Sequence, residues 1–206
     1  MINLINISDM KTFNSILFAV IITTLSLQVS AQKRYSVAKA TFEVSGTSTV
    51  HDWSMKSTEG TGTATITIND SRILDIANLN IQLPAESVKS SKTSMDEVAY
   101  AALDTKNNKY IKYTLKSAVK INETVWLFTG IYNIAGVNRE YKTQVKATIN
   151  NGNLVLQGFN QTTFSDFEMS PPTAALGVVK TGKNLTILFH ITLIDYAKNE
   201  NILVIR

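Results

Sequence analysis

The residue types of a serine hydrolase occur together in one short stretch, residues 46–57, which reads GTSTVHDWSMKS. Ser48, His51 and Asp52 could supply the nucleophile, base and orienting carboxylate of an acyl-transfer triad. In an extended strand, however, adjacent side chains point to opposite faces, so Asp52 could not orient the neighbouring ring of His51. Val50 also stands where the G-x-S-x-G turn of a hydrolase needs glycine. The stretch therefore predicts the end of a strand followed by a turn.

Other kinds of catalytic or metal site find little support. The chain has no cysteine and only two histidines, His51 and His190, which are too far apart for a local zinc motif. Its carboxylates show no spacing typical of an acid–base pair, and there is no glycine-rich phosphate loop or dinucleotide fingerprint. We therefore predict no metal, no cofactor and no enzymatic activity. An unrecognised enzyme that uses His51 and nearby carboxylates stays open as a third alternative.

Composition excludes another class of function. The chain of 206 residues is 44% hydrophobic and 17% charged, as expected for a globular protein with a substantial core. Its formal net charge is +4, but the basic residues are spread along the chain. A nucleic-acid surface needs a concentrated basic face, so we predict no nucleic-acid partner.

The N-terminal segment has the pattern of a secretory signal peptide. Lys11 precedes an apolar run over residues 16–27, and Val29-Ser30-Ala31 resembles a small-residue cleavage site. We predict a signal peptide over residues 1–31, with Met1 or Met10 as the start. A periplasmic or secreted protein, not integral to the membrane after cleavage, is then expected; an uncleaved anchor is the alternative.

The remaining chain alternates apolar and polar residues with the period of a β-strand. The alternating segments are residues 63–68, 77–83, 111–116, 126–134, 139–149 and 185–194. Turn-forming residues separate most of them, at 69–71, 135–138, 150–153 and 181–184. We predict a single all-β domain of roughly eight antiparallel strands, and closure into a barrel would remove its edges.

Two segments interrupt the strands. Residues 94–97, Ser-Met-Asp-Glu, fit a capping box, and the following apolar residues have helical spacing, which predicts a short amphipathic helix over residues 94–103. Residues 163–177 contain aromatics and a Pro-Pro pair and predict a long loop with a helical turn. The apolar side of the helix would lie on the barrel.

The barrel interior has two interpretations. An eight-stranded barrel is just wide enough to be filled by its own side chains or to hold one small ligand. The inward positions mix small residues, such as Ala64, Ala147 and Gly158, with large apolar ones. The pattern alone gives a filled barrel and an apolar tunnel equal weight.

Four stretches resemble one known family, the YceI-like or polyisoprenoid-binding proteins, in the form found in Bacteroidetes. They are residues 42–66, with the His-Asp-Trp turn, residues 83–117, with the inserted helix, residues 134–140, and residues 167–193, with the Pro-Pro-Thr-Ala loop. The resemblance covers residues 34–195, which we assign to the barrel domain, and leaves residues 196–206 as a C-terminal tail.

This resemblance implies a lipocalin-like barrel that binds an apolar lipid, such as a polyisoprenoid or fatty acid, in its lumen. The expected function is sequestration or carriage without chemistry; a structural or interaction barrel with a filled core is the alternative. The oligomeric state stays open, a dimer included. The residues expected to line the lumen and mouth are Phe42, Trp53, Ile66, Leu79, Ile81, Met95, Tyr113, Phe128, Tyr141, Val145, Phe164 and Phe189.

Overall fold

A computed structural model of the chain describes residues 32–197. The predicted signal peptide and residues 198–206 of the predicted tail lie outside this range. In chain order the elements are β1 (Gln32–Ser48), β2 (Trp53–Ser57), β3 (Thr61–Asn69), β4 (Arg72–Pro84), α1 (Thr93–Ala102), β5 (Tyr110–Lys120), β6 (Val125–Ile134), β7 (Val137–Asn150), β8 (Asn153–Thr163), β9 (Thr173–Ala174) and β10 (Val179–Asp195).

Eight of these strands form a closed antiparallel barrel. Their order is β1-β3-β4-β5-β6-β7-β8-β10, and pairing of β1 with β10 completes the ring. The long strand β1 pairs with β3 through its first residues and with the short strand β2 through its last ones. The predicted eight-stranded barrel with one inserted helix is confirmed.

The connections differ between the two ends of the barrel. At one end β3–β4 and β7–β8 are joined by two-residue turns, in which Asp70, Ser71, Asn151 and Gly152 all have positive φ. Such turns match the twist of paired strands. The other end has one such turn, Ala135-Gly136 between β6 and β7, but it also carries the segment with α1, between β4 and β5, and the segment with β9, between β8 and β10. We call these the hairpin end and the helix end.

The turn predicted at residues 181–184 is wrong. Strand β10 runs without interruption through these residues, and Ser48 of β1 pairs with Thr181. Gly182 serves a close approach instead, because a Cβ at this position would lie 2.3 Å from Oγ1 of Thr47. The glycine therefore permits two long strands to stay in contact near the end of the barrel.

The inserted helix is confirmed, but its predicted capping box is wrong. Lys92 is the N-cap residue of α1 and makes no side-chain cap hydrogen bond, so Ser94 lies inside the first turn. The segment before the helix is fixed by Asp96, whose Oδ1 accepts hydrogen bonds from the backbone N–H and hydroxyl of Ser90 at 2.7 and 2.8 Å. The helix begins one residue earlier than predicted.

The helix is also held to the rest of the barrel. Lys56 of β2 and Lys89 exchange two backbone hydrogen bonds, and the hydroxyl of Tyr100 donates to the carbonyl oxygen of Glu86 at 2.8 Å.

Within residues 32–197 no helix is long and apolar enough to cross a membrane.

Side chains fill the half of the lumen nearest the hairpin end. This filled half contains the fully buried Trp126 and is completed by Tyr35 and by small and branched residues, which together come from six further strands. Its other buried members are Tyr35, Ala40, Ala64, Ile66, Ile73, Ile76, Ala147, Leu154 and Leu193. Of the two interpretations of the interior, the filled one therefore describes this half only.

Candidate functional site

The half of the lumen nearest the helix end encloses a cavity of about 1190 Å³. This volume exceeds the range of roughly 300–1,000 Å³ that is usual for small-molecule pockets. Apolar side chains from the barrel strands, β2, α1 and the segment after β8 form most of its wall. We call this region the hollow half, and its size and chemistry suit a long apolar molecule.

Ten of the twelve residues predicted for the lumen and mouth line this cavity. They are Phe42, Trp53, Leu79, Ile81, Met95, Tyr113, Phe128, Val145, Phe164 and Phe189. Ile66 does not line the cavity, because it is fully buried within the filled half. Tyr141 also lies outside the lining; its hydroxyl is hydrogen-bonded to Thr162, and its ring packs near Phe167. The role of all twelve residues in ligand binding remains a prediction.

Helix α1 closes one side of the hollow half with its apolar face. Met95, Val98, Ala99 and Ala102 line the cavity, whereas Ala101 between them is exposed. Beneath the helix, Met55, Leu83 and Val88 form a small buried cluster against which Met95 and Ala99 pack. The helical spacing predicted from the sequence is thus what directs these side chains into the lumen.

A 3₁₀ turn after β8 supplies two aromatic side chains to the same cavity. Phe164 and Phe167 are buried and lie in its lining. A true capping box fixes this turn: the Thr163 hydroxyl accepts from the Asp166 N–H at 3.2 Å, and an Asp166 carboxylate oxygen accepts from the Thr163 N–H at 2.7 Å. These hydrogen bonds hold the pKa of Asp166 below its ordinary value.

Glycines opposite aromatic rings shape two parts of the wall. Gly46 pairs with Trp53, and Gly158 pairs with Phe189, across neighbouring strands. A Cβ at either glycine would lie 2.6 Å from the facing ring. The Trp53 indole N–H also donates to the carbonyl oxygen of Thr47 at 3.0 Å. Each ring therefore occupies the space that the facing glycine leaves free.

One side of the lumen is polar, which the sequence analysis missed. Strands β5–β8 direct hydroxyl and amide side chains inward, and we call them the polar stripe: Tyr113, Tyr132, Tyr141, Thr143, Asn160 and Thr162. The amide of Asn160 donates to the Tyr132 hydroxyl at 2.6 Å and to Thr143 Oγ1 at 2.7 Å. Alternation from inward-facing Val145 and Gly158 places Thr143 and Asn160 on the inner face, a signal present in the sequence.

The three tyrosines of the polar stripe form a connected row. Ring centroids lie 4.9 Å apart for Tyr113 and Tyr132 and 5.7 Å apart for Tyr132 and Tyr141, both with edge-on geometry. Removal from water raises the pKa of all three phenols above the ordinary tyrosine value. Their hydroxyls therefore remain protonated, uncharged donors at neutral pH.

The Ser48, His51 and Asp52 side chains do not form a triad. The Ser48 hydroxyl donates to the backbone carbonyl of His51 at 2.7 Å, and His51 Nδ1 donates to the backbone carbonyl of Asp52 at 2.8 Å. The serine also accepts from the N–H groups of Val50 and His51. These contacts stabilise the turn between β1 and β2, as the sequence predicted.

Residues 32–197 contain no cluster of three or more metal-ligating side chains of the His, Cys, Asp and Glu types.

Several solved structures share this architecture at low sequence identity. BcnA of Burkholderia cenocepacia superposes with a TM-score of 0.56 at 14% identity, covering 73% of this chain and 95% of its own. A polyisoprenoid-binding domain from Saccharophagus degradans, implicated in plant cell wall breakdown, gives 0.58 at 10% identity over 80% and 99%.

A YceI protein of Campylobacter jejuni gives a TM-score of 0.52 at 16% identity, covering 63% of this chain and 78% of that one. The chain has the YceI-like fold. No family model and no curated protein matches the sequence. The YceI-like fold of this chain thus rests on its three-dimensional architecture, a lipocalin-like barrel with a short inserted helix.

Proposed function

We propose that this chain is a YceI-like, non-enzymatic binding protein that holds an apolar chain, isoprenoid or fatty, in its hollow half. The observation that carries the proposal is the cavity of about 1190 Å³ with its largely apolar lining. Burial contributes roughly 0.8 kcal/mol for each methylene removed from water, so a long chain can offset the cost of its own ordering. A structural neighbour described as a polyisoprenoid-binding domain supports the same ligand class.

A non-enzymatic role is supported by the local geometry of the most reactive residue types. Ser48, His51 and Asp52 contact backbone groups of their own turn rather than one another. We expect His51→Ala to change ligand affinity by less than about twofold, since the ring lies exposed at the cavity mouth. A loss of a measurable hydrolytic activity in this variant would instead favour the enzyme alternative.

Occupancy of the cavity can be tested with a matched pair of variants on α1. Ala99 lines the cavity, and Ala101 is exposed on the same helix. A tryptophan at position 99 would take up cavity volume, so Ala99→Trp should weaken binding of a fluorescent fatty acid at least tenfold. Ala101→Trp should bind as the wild type does.

Solvent extraction of the purified protein, followed by mass spectrometry, should recover an apolar chain from wild type and Ala101→Trp but much less from Ala99→Trp. Equal recovery and equal affinity in both variants would contradict binding in the hollow half. Such a result would favour a barrel that acts through its outer surface.

The proposal includes export of this protein from the cytoplasm. The apolar run over residues 16–27 and the small residues before Gln32 support passage out of the cytoplasm as a periplasmic or secreted protein. The mass of the protein recovered from the periplasm or medium should correspond to a chain that begins at Gln32. An intact N terminus in the cytoplasmic fraction would contradict this part of the proposal.

A further inference from the structure

We propose that the helix end of the barrel docks on the surface of a phospholipid bilayer, with the mouth of the hollow half facing the membrane. The bilayer is then the source or the destination of the bound chain, which enters or leaves the cavity without crossing bulk water. This inference rests on the proposed function and adds an interaction surface to it.

Three large apolar side chains at the helix end project into water. Leu176 is fully exposed, and Val178 and Val50 are 75% and 65% exposed. Their two segments are tied together, because the Thr49 N–H donates to the Lys180 carbonyl oxygen at 3.0 Å and the Lys180 N–H donates to Thr49 Oγ1 at 3.1 Å. We call the three side chains the apolar rim. Single exposed apolar residues are ordinary, whereas a group on joined segments indicates an interaction surface.

The apolar rim is continuous with the lumen. Leu176 and Gly177 line the cavity, as do Ser48 and His51 from the neighbouring turn between β1 and β2. Leu176 therefore borders both the cavity and the solvent. A bilayer that covers the rim would lie directly beside the opening of the hollow half.

The backbone keeps Leu176 directed away from the core. This residue has φ 54° and ψ 35°, in the left-handed region that is unfavourable for most residues with a Cβ. Its exposed side chain gains no burial within the described fold in return. Insertion of the same side chain into a lipid surface would remove its apolar area from water, which is favourable.

The charges around the apolar rim suit the phosphate groups of lipids. Residues 169–183 include no carboxylate and two exposed lysines, Lys180 and Lys183. The turn between β1 and β2 adds one carboxylate, Asp52, so these segments retain a small excess of positive charge. Lysines beside a membrane surface are attracted to anionic lipid. We therefore expect apolar insertion to supply most of the affinity and anionic lipid to increase it.

The exposed apolar residues of the hairpin end lack these two features. Leu74, Val119 and Ile121 are also exposed, but none of them lines the cavity. The exposed carboxylates of Asp75 and Glu123 lie beside them in the chain and would be repelled by lipid phosphates. The hairpin end therefore provides a matched control surface.

Sedimentation with phosphatidylcholine vesicles that contain about 30% phosphatidylglycerol tests the docking surface. The double variant Val50→Asp/Val178→Asp should bind these vesicles at least tenfold more weakly than wild type. The control Val119→Asp/Ile121→Asp, at residues 58% and 53% exposed, should bind as wild type does. All four positions are exposed, so both variants should fold, which urea unfolding checks. Equal losses in the two variants, or no vesicle binding by wild type, would overturn the inference.

A site-specific fluorophore tests the orientation, because the chain has no cysteine of its own. Val178→Cys and Ile121→Cys are each labelled with a nitrobenzoxadiazole probe. Vesicles should raise the emission at position 178 at least twofold, and spin-labelled lipid should quench it, with neither change at position 121. A rise at position 178 that follows protein concentration without vesicles would indicate docking of a second copy and would overturn the inference.

Fatty-acid binding separates this inference from the proposed function. Neither Val50 nor Val178 lines the cavity, so Val50→Asp/Val178→Asp should bind a fluorescent fatty acid in solution within twofold of wild type. Transfer of the same fatty acid from vesicles to this variant should be at least fivefold slower. Wild type that binds the fatty acid but not the vesicles would overturn this inference alone, whereas absence of fatty-acid binding would overturn the proposed function as well.

Discussion

The two halves of this barrel are built from the same strands but differ in what occupies the lumen. In the filled half, side chains such as Trp126 and Leu154 occupy the lumen completely. In the hollow half, α1 and the 3₁₀ turn after β8 form part of the wall, and the lumen stays open. The comparison indicates that packing is concentrated near the hairpin end, while the helix end contains the cavity.

The largest expected difference comes from two leucines on the same strand. Leu193 is fully buried in the filled half, and Leu185 lines the cavity eight positions earlier on β10. Leu193→Ala should lower the free energy of unfolding by about 3–4 kcal/mol, because a new cavity forms in a packed core. Leu185→Ala should cost only about 1–2 kcal/mol, since its side chain already borders open space.

Urea unfolding of the ligand-free protein measures both leucine variants directly. Equal losses for Leu185→Ala and Leu193→Ala would show that the hollow half is packed in solution. Leu185→Ala should also keep its ability to bind a fatty probe, because the substitution enlarges the cavity rather than filling it.

The same comparison explains how far sequence reasoning could go. Strict alternation in residues 141–149 predicted strand β7, and the Asn-Asn-Gly-Asn segment predicted the tight turn after it. Alternation is identical in both halves, however, so it could not show which part of the lumen is filled. That outcome depends on how side-chain volumes from many strands add up at one level of the barrel.

Local motifs failed where contacts outside the motif decided the structure. A capping box was predicted at residues 94–97 but occurs at Thr163 and Asp166, because the Ser90–Asp96 hydrogen bonds already fix the start of α1. Gly182 was assigned to a turn, although it leaves space for the side chain of Thr47 on the distant strand β1. The polar stripe was missed because its partners come from four strands.

The buried tyrosines of the polar stripe make the stability of the fold depend on alkaline pH. Burial raises the pKa of Tyr113 and Tyr132 in the folded protein, so these phenols keep their protons when the unfolded chain loses them. The folded state is therefore most favoured below the ordinary tyrosine pKa of about 10, and its stability should fall as the pH rises above that value. Each such group can contribute up to about 1.4 kcal/mol per pH unit.

Tyr113→Phe should flatten this alkaline loss of stability. Urea unfolding between pH 8 and pH 11.5 measures the change, with Trp126 as a fluorescent reporter in the filled half. An unchanged slope in the variant would mean that the phenol ionises as freely in the folded barrel as in the unfolded chain, and so that water reaches the polar stripe.

The smallest expected effect distinguishes the turns at the two ends. Asp166 accepts hydrogen bonds from Thr163 that lower its pKa in the folded state, so its stabilising effect is present above the ordinary pKa and is lost as the pH falls through the folded value. Asp166→Asn should cost less than about 1 kcal/mol at pH 7 and should reduce the acid sensitivity of the 3₁₀ turn that carries Phe164. Asp70→Asn at the hairpin end should stay within about 0.5 kcal/mol of wild type, because asparagine suits the positive φ of that turn. Unfolding midpoints at pH 7 and pH 3.5 compare the two variants. A larger loss of stability for Asp70→Asn than for Asp166→Asn would contradict a stabilising role of the Asp166 carboxylate.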